Sequence, residues 1–205
     1  MKTITAITPQ VKNAKRCNIF LDGEFFCGMS LETVMKHRLK VGLQIDSADI
    51  EKIQLDSERS SALEKAMAFL SGSVKTEKQT RDHLREKGYT PLVINYVLEK
   101  CNEYGFVDDG YYARRYVETY ADKKGVMLIK RELKMKGVSE DAAVEALDDL
   151  GDQSEAAAAI ARKYMRGKEA DLKTIQKLYR HLLSKGFSYD DAKSAVEKIK
   201  TDEDL

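Results

Sequence analysis

Three histidines, His37, His83 and His181, and one acidic pair, Asp108-Asp109, are the residues here whose types could run metal or acid–base chemistry. None has the partners that such chemistry needs. A zinc-protease helix requires a second histidine and a glutamate at fixed offsets, and no His-Glu-x-x-His string occurs. There is no glycine-rich phosphate loop and no serine in a Gly-x-Ser-x-Gly turn. Asp108 and Asp109 are neighbours in sequence, so they point to different sides; a helix N-cap followed by a first-turn acid is the simpler role. Cys17, Cys27 and Cys101 are odd in number and form no Cys-x-x-Cys pair. A Cys17–Cys27 bridge across a hairpin is possible, but buried or half-buried thiols are the favoured reading. The expectation is a binding protein, not an enzyme, with no metal and no cofactor.

Binding chemistry is better supported. Arg114 to Lys136 carries eight Lys/Arg against Glu118, Asp122 and Glu132, whereas Val138 to Asp152 carries six acids and no Lys/Arg. Arg162 to Lys185 is basic again, and Lys75 to Lys87 more modestly so. Such stripes could track phosphates or acidic protein segments. The net charge of +1 favours neither partner. Tyr111-Tyr-Ala-Arg-Arg-Tyr-Val-Glu-Thr-Tyr120 interleaves aromatic and basic residues, as base-stacking surfaces do. Tyr112, Tyr116 and Tyr120 also lie at i, i+4, i+8, and a tyrosine stripe at that spacing is read first as core. The charge runs are likewise read first as solvated faces.

The elements that would position these residues repeat. Leu84-Arg-Glu-Lys-Gly-Tyr89, Leu133-Lys-Met-Lys-Gly-Val138 and Leu182-Leu-Ser-Lys-Gly-Phe187 share a pattern, and their glycines are twice 49 residues apart. The string is a helix stop: glycine adopts the left-handed conformation, lysine sits at the negative helix end, and the next apolar residue packs back. Thr90, Ser139 and Ser188 follow in register as N-caps. The next helix then shows one apolar face three times: Ile94, Ala143, Ala192; Val97, Ala146, Ala195; Leu98, Leu147, Val196; Cys101, Leu150, Ile199. Upstream lie helices marked by Thr80/Leu84, Ile129/Leu133 and Leu178/Leu182, the first opened by a Thr76/Gln79 capping box. Before each comes a third helix, with Ala62 to Leu70, Tyr112 to Tyr120 and Ile160 to Met165 as its faces. His83 and His181 hold one repeat slot, with Glu132 in the middle copy, which reads as helix surface or repeat interface. Each unit is too small to bury a core alone and must stack on its neighbour.

The first sixty residues differ. Arg16–Leu21 reads as a strand, Asp22-Gly23 as a two-residue hairpin turn, and Glu24–Met29 as the return strand. Ser30 caps a helix to about Leu39, and a separate helix runs from Ser47 to about Leu55. The expected fold is mainly α, with three tandem three-helix repeats in an elongated, curved array and a small N-terminal β-hairpin plus helix extension. The expected divisions are 1–58, 59–108, 109–152, 153–200 and an acidic tail, 201–205. No run approaches the roughly 20 apolar residues of a membrane span. Residues 1–10 hold no apolar signal core, so a cytoplasmic protein is expected.

R-D-H-L-R-E-K-G-Y (81–89), E-Y-G-F-V-D-D-G-Y-Y-A (103–113), G-V-M-L-I-K-R-E-L-K-M-K-G-V (125–138) and L-L-S-K-G-F-S-Y-D-D-A (182–192) together resemble the RecX recombination regulators. The likeness spans about residues 60–200, and the Asp22-Gly23 hairpin resembles the extension of some members. The resemblance implies three tandem three-helix units and a partner, the RecA recombinase filament on single-stranded DNA. It implies binding in the filament groove, limits on growth, ATP turnover and strand exchange, and direct DNA binding by some members, in DNA repair and the SOS response. It points to Lys130, Arg131, Lys134, Lys136, Arg114 and Arg115 as contacts. The charge pattern adds Arg81 and Arg85 in the first copy and Lys123 and Lys124 in the second. In the third copy it adds Arg162, Lys163, Arg166, Lys177 and Arg180. Thr80 stands where the family usually shows leucine, which implies looser packing of that helix. A DNA-binding helical-repeat module acting mainly on nucleic acid is the alternative. A monomer with no membrane association is expected in either case.

Overall fold

A computed structural model describes residues 1–11, 13–148 and 150–203. Asp149, in the acidic run, and Asp204-Leu205, in the acidic tail, lie outside the described residues. The chain is mainly helical, with a small strand-containing N-terminal part and three three-helix domains. It forms two compact units, Met1–Ser73 with Thr80–Phe106, and Val74–Gln79 with Val107–Leu205.

In the first unit, strands β1 (Lys2–Gln10), β2 (Asn13–Leu21), β3 (Glu24–Ser30) and β4 (Gln44–Ile45) form one sheet in the order β3-β2-β1-β4. Asp22 and Gly23 both take positive φ, 50° and 89°, as the tight hairpin requires. Alternation puts Cys17, Ile19 and Leu21 of β2 and Cys27 and Met29 of β3 into the core with Ile4, Val34 and Ile50. Cys17 pairs with Met29 and Ile19 with Cys27, so the two cysteines are not opposite one another. All three thiols are free and buried. Strand β1 is additional to the expected hairpin; its β-branched run Thr3-Ile4-Thr5 and Ile7-Thr8 is the signal that was there to be read. Helix α1 (Leu31–Lys36) starts where Ser30 Oγ accepts the Thr33 N–H at 3.0 Å.

Helix α2 (Ser47–Leu70) corrects one expectation. It runs unbroken for 24 residues where two separate helices were anticipated, so the 58/59 division lies inside it. The polar run 56–61 contains no glycine or proline to stop a helix. Its serines are used in packing: buried Ser57 accepts the Ser30 N–H at 2.9 Å, and Ser61 lies 3.3 Å from Arg16 Nη1 and 3.0 Å from the Tyr89 hydroxyl.

The repeats supply α3 (Glu77–Glu86), α4 (Pro91–Glu103), α5 (Asp109–Tyr120), α6 (Val126–Met135), α7 (Glu140–Asp148), α8 (Ser154–Met165), α9 (Leu172–Ser184) and α10 (Tyr189–Glu203). Each middle helix, α3, α6 and α9, ends as expected. The N–H of Tyr89, Val138 or Phe187 returns to the carbonyl of Leu84, Leu133 or Leu182, the six-residue closure of a Schellman motif. Thr90, Ser139 and Ser188 cap the helices that follow. Thr76 and Gln79 form the reciprocal capping box, at 3.0 and 3.1 Å. Of the repeated apolar face, Leu147 and Leu150 are only half-buried. Thr80, in the leucine slot, is as fully enclosed as Ile129 and Leu178.

Within the second unit the middle helices meet head to tail. Gly125 N–H donates to the Lys185 carbonyl at 2.9 Å and Met127 N–H to the Gly186 carbonyl at 3.1 Å. One repeat earlier, Thr76 Oγ1 donates to the Lys136 carbonyl at 2.7 Å and Lys78 Nζ to the Met135 carbonyl at 3.1 Å. The positive N-terminus of one helix thus sits on the negative C-terminus of the next. A polar side chain from the next repeat completes each junction. Asp109 Oδ1 accepts the Glu77 N–H at 2.8 Å, and Gln153 Oε1 accepts the Val126 N–H at 2.9 Å. In the last repeat, Asp171 caps α9 itself through the Thr174 N–H.

Candidate functional site

The shared repeat slot, His83, Glu132 and His181, meets an aromatic ring on the first helix of its own repeat. His83 stacks on Phe69 with ring centres 4.2 Å apart, and His181 packs on Tyr164 at 4.9 Å. In the middle repeat the Tyr116 hydroxyl donates to Glu132 Oε2 at 2.7 Å. The slot is thus half-buried between two helices of one repeat, and these contacts lie within repeats, not between them.

Around Glu132 the middle repeat builds a closed network. Lys124, at the end of the α5–α6 loop, places Nζ 2.6 Å from Glu132 Oε2 and 3.1 Å from the Tyr116 hydroxyl. It also lies 4.1 Å from the Tyr120 ring centre, and Lys136 lies 5.6 Å from that of Tyr116. Tyr112, Tyr116 and Tyr120 stack along α5 at 6.0 and 4.5 Å, half-buried. The stripe is therefore a wall under lysines, packed but not sealed. Burial works against the charge on Glu132, yet Lys124, Tyr116 and Lys136 hold its carboxyl below the usual range. Burial likewise opposes the charge on Lys124, and Glu132 and Tyr116 more than offset it, so its ammonium is raised.

The third repeat builds the same wall without the acid. Lys168 Nζ lies 3.5 Å from the Tyr164 ring centre. A cleft of about 510 Å³ opens beside it, lined by Asp122 and Lys123 of the α5–α6 loop, Ile160, Lys163 and Tyr164 of α8, His181 of α9 and Lys185, its C-cap. Among the described residues none of Lys123, Lys163 and Lys185 makes an ion pair. Burial lowers the His181 imidazole below its ordinary value, and the charges of Lys185 and Lys168 lower it further. A larger cleft of about 610 Å³ lies in the first unit, but it mixes Lys15, Lys36 and Lys65 with Glu32 and Glu64. Its Arg16 is already bonded to the Gly28 carbonyl at 3.0 Å.

Many of the basic residues selected from sequence are paired within the chain. Lys130 bonds Glu140 at 2.8 Å and Arg114 approaches Glu145 at 3.7 Å, so the acidic helix α7 partly neutralises α5 and α6. Arg115 pairs with Glu118, Arg85 with Asp82 and Arg162, loosely, with Glu155. Arg81 bonds Asn95 at 2.7 Å. Lys134 lines a small pocket beside Glu140, and Arg180 a groove with Tyr179 and Tyr189. Arg131, Arg166 and Lys177 are exposed without an ion pair among the described residues. Of the selected residues, Lys123 and Lys163 come together in the cleft. Lys168 and Lys185 were counted in the basic run but not selected; their signal was the slot change from Glu132 to His181.

Comparison with known proteins completes the picture. Residues 2–46 match the Regulatory protein RecX N-terminal domain. Residues 62–101, 108–147 and 152–196 match the first, second and third RecX three-helix domains. Regulatory protein RecX of Bacillus licheniformis is 34% identical over 211 residues, covering 100% of this chain and 80% of the relative. The chain belongs to the RecX family. RecX of Clostridium botulinum is 36% identical over 207 residues, covering 97% of this chain and 96% of its own. A crystal structure of regulatory protein RecX superposes with TM-score 0.68 at 27% identity, over 94% of this chain and 98% of that one. RecX from Lactobacillus salivarius gives TM-score 0.62 at 28% identity, over 70% and 97%. In RecX terms, the basic cleft belongs to the third three-helix domain, closed on one side by the loop that follows α5 in the second. Among the described residues no helix is long and apolar enough to cross a membrane.

Proposed function

We propose that this chain is a cytoplasmic, non-enzymatic regulator that binds the RecA recombinase filament on single-stranded DNA and restrains its growth, ATP turnover and strand exchange. Membership of a family of regulatory proteins, matched from the N-terminal domain through all three helical domains, supports the reading. The observation that carries it to a surface is the set of unneutralised lysines Lys123, Lys163 and Lys185 in one cleft. A filament of recombinase on DNA offers phosphates and acidic side chains to such a surface.

The test is ATP hydrolysis by the cognate recombinase on single-stranded DNA, with this protein titrated below one molecule per recombinase subunit. Inhibition at such ratios is expected. No effect at equimolar protein, with both proteins folded, would overturn the reading. The specific observation favouring a DNA-directed module is the same lysine cleft; inhibition that disappears in step with binding to naked DNA would mark that alternative.

A further inference from the structure

The second and third repeats hold the same three-part construction in two states. In the second, an aromatic hydroxyl and a lysine from the preceding loop converge on one carboxylate oxygen: Tyr116 at 2.7 Å and Lys124 at 2.6 Å on Glu132 Oε2. In the third, Tyr164 and Lys168 are in the matching places, but the slot holds His181. The oxyanion is missing and the cations have multiplied. Lys123, Lys163 and Lys185 line the opening, against Asp122 as the acid on its rim. The cleft, at about 510 Å³, has room for a group larger than a carboxylate.

We propose that this cleft binds a phosphate group, held by Lys163, Lys185 and Lys123 with the Tyr164 hydroxyl as a further donor. In the second repeat Lys124 in contact and Lys136 further off balance one carboxylate. Several lysines lining one opening match a group with more negative charge and three acceptor oxygens. His181 reports occupancy: it faces Lys168 and Lys185, with Asp122, Lys123, Lys163 and Tyr164 around the same opening, and histidine is the side-chain type that changes charge near neutrality. A bound anion raises its pKa, so binding tightens as pH falls. The phosphate can come from a nucleic-acid backbone or from a free polyphosphate. No recombinase is needed for the test, so its failure and that of the functional reading are separate.

The experiment follows the histidine ring resonances of the full chain by NMR from pH 5 to 8, with His181→Gln assigning the signal. Sodium pyrophosphate and a fluorescein-labelled single-stranded 20-mer are the probes. Both are expected to move the His181 titration upward. Lys163→Glu should weaken oligonucleotide binding about tenfold, the weight of one charge-assisted contact. It should also flatten the salt dependence by about 0.7 in slope. Lys52→Glu on exposed α2, with the same change in charge, should do neither. His181→Glu, which copies the second repeat, should abolish binding while leaving the fold intact. Pyrophosphate binding with no Lys163-dependent oligonucleotide binding would assign the site to free polyphosphate. A His181 titration unmoved by either probe, or moved equally by a polyglutamate peptide, would overturn the proposal.

Discussion

Gly125 donates its backbone N–H to the Lys185 carbonyl across 2.9 Å, so the first donor of helix α6 is satisfied by the last turn of helix α9. The contact is backbone on backbone. A Cβ built on Gly125 would lie 2.1 Å from the carbonyl carbon of Gly186. Gly125 has φ −77°, which any residue can adopt, so only the close approach demands glycine there.

Gly125→Ala is therefore expected to cost about 3 kcal/mol through overpacking. Gly88→Ala should cost about 1 kcal/mol, because its Cβ meets open space and only the φ of +85° is strained. Urea unfolding of the two variants compares them directly. Equal losses would mean that the junction yields easily and that the head-to-tail contact does not organise the unit.

Thr76 serves two partners, accepting the Gln79 N–H and donating to the Lys136 carbonyl. Thr76→Ala should lose about 1–2 kcal/mol, the upper range for an N-cap, while Thr76→Ser, which keeps the hydroxyl, should lose much less. Similar midpoints for both variants would remove the hydroxyl from the account.

The Lys124–Glu132 pair gives a pH dependence of definite sign. Burial opposes the Glu132 charge, but its partners hold the folded pKa below the usual carboxylate range. Its contribution is thus present above the unfolded value of about 4.3 and lost as pH falls through the folded value. Lys124 is raised, so its share is present below the unfolded value of about 10.4 and lost as pH rises through the folded one. Lys124→Met should cost about 1–2 kcal/mol at pH 7, since both side chains are only 21% and 23% exposed. The difference from wild type should shrink at pH 3. A cost unchanged between pH 7 and pH 3 would show that packing of the lysine stem, not its charge, is what matters.

Burial pushes the Cys27 thiol up to about 11, with the Glu58 charge adding to it. Alkylation in the native protein at pH 8 should therefore be about a hundredfold slower than for a free thiol, on thiolate content alone. Urea should release all three thiols together with unfolding. Rapid native labelling at Cys27 would mean that the hairpin opens locally.

The repeats were legible because their signals are local. A Gly-Lys helix stop, a Thr or Ser cap and apolar offsets of three and four lie within ten residues of one another, and backbone physics reads them the same way each time. The Asp22-Gly23 turn and the Thr76–Gln79 capping box belong to the same class. The continuity of α2 across residues 56–61 was not legible, because its polar residues look like a break until Ser57 and Ser61 find their partners on β3, β2 and the α3–α4 connection. The candidate site divides in the same way. Sequence supplied the lysines and the exchange of Glu132 for His181 in one repeat slot. Folding decided which charges were already spent, pairing Lys130 with Glu140 and Arg114 with Glu145 and leaving Lys123, Lys163 and Lys185 in one cleft. Pairing between charges on different helices depends on distances of a few ångströms, and those are set by how the helices pack.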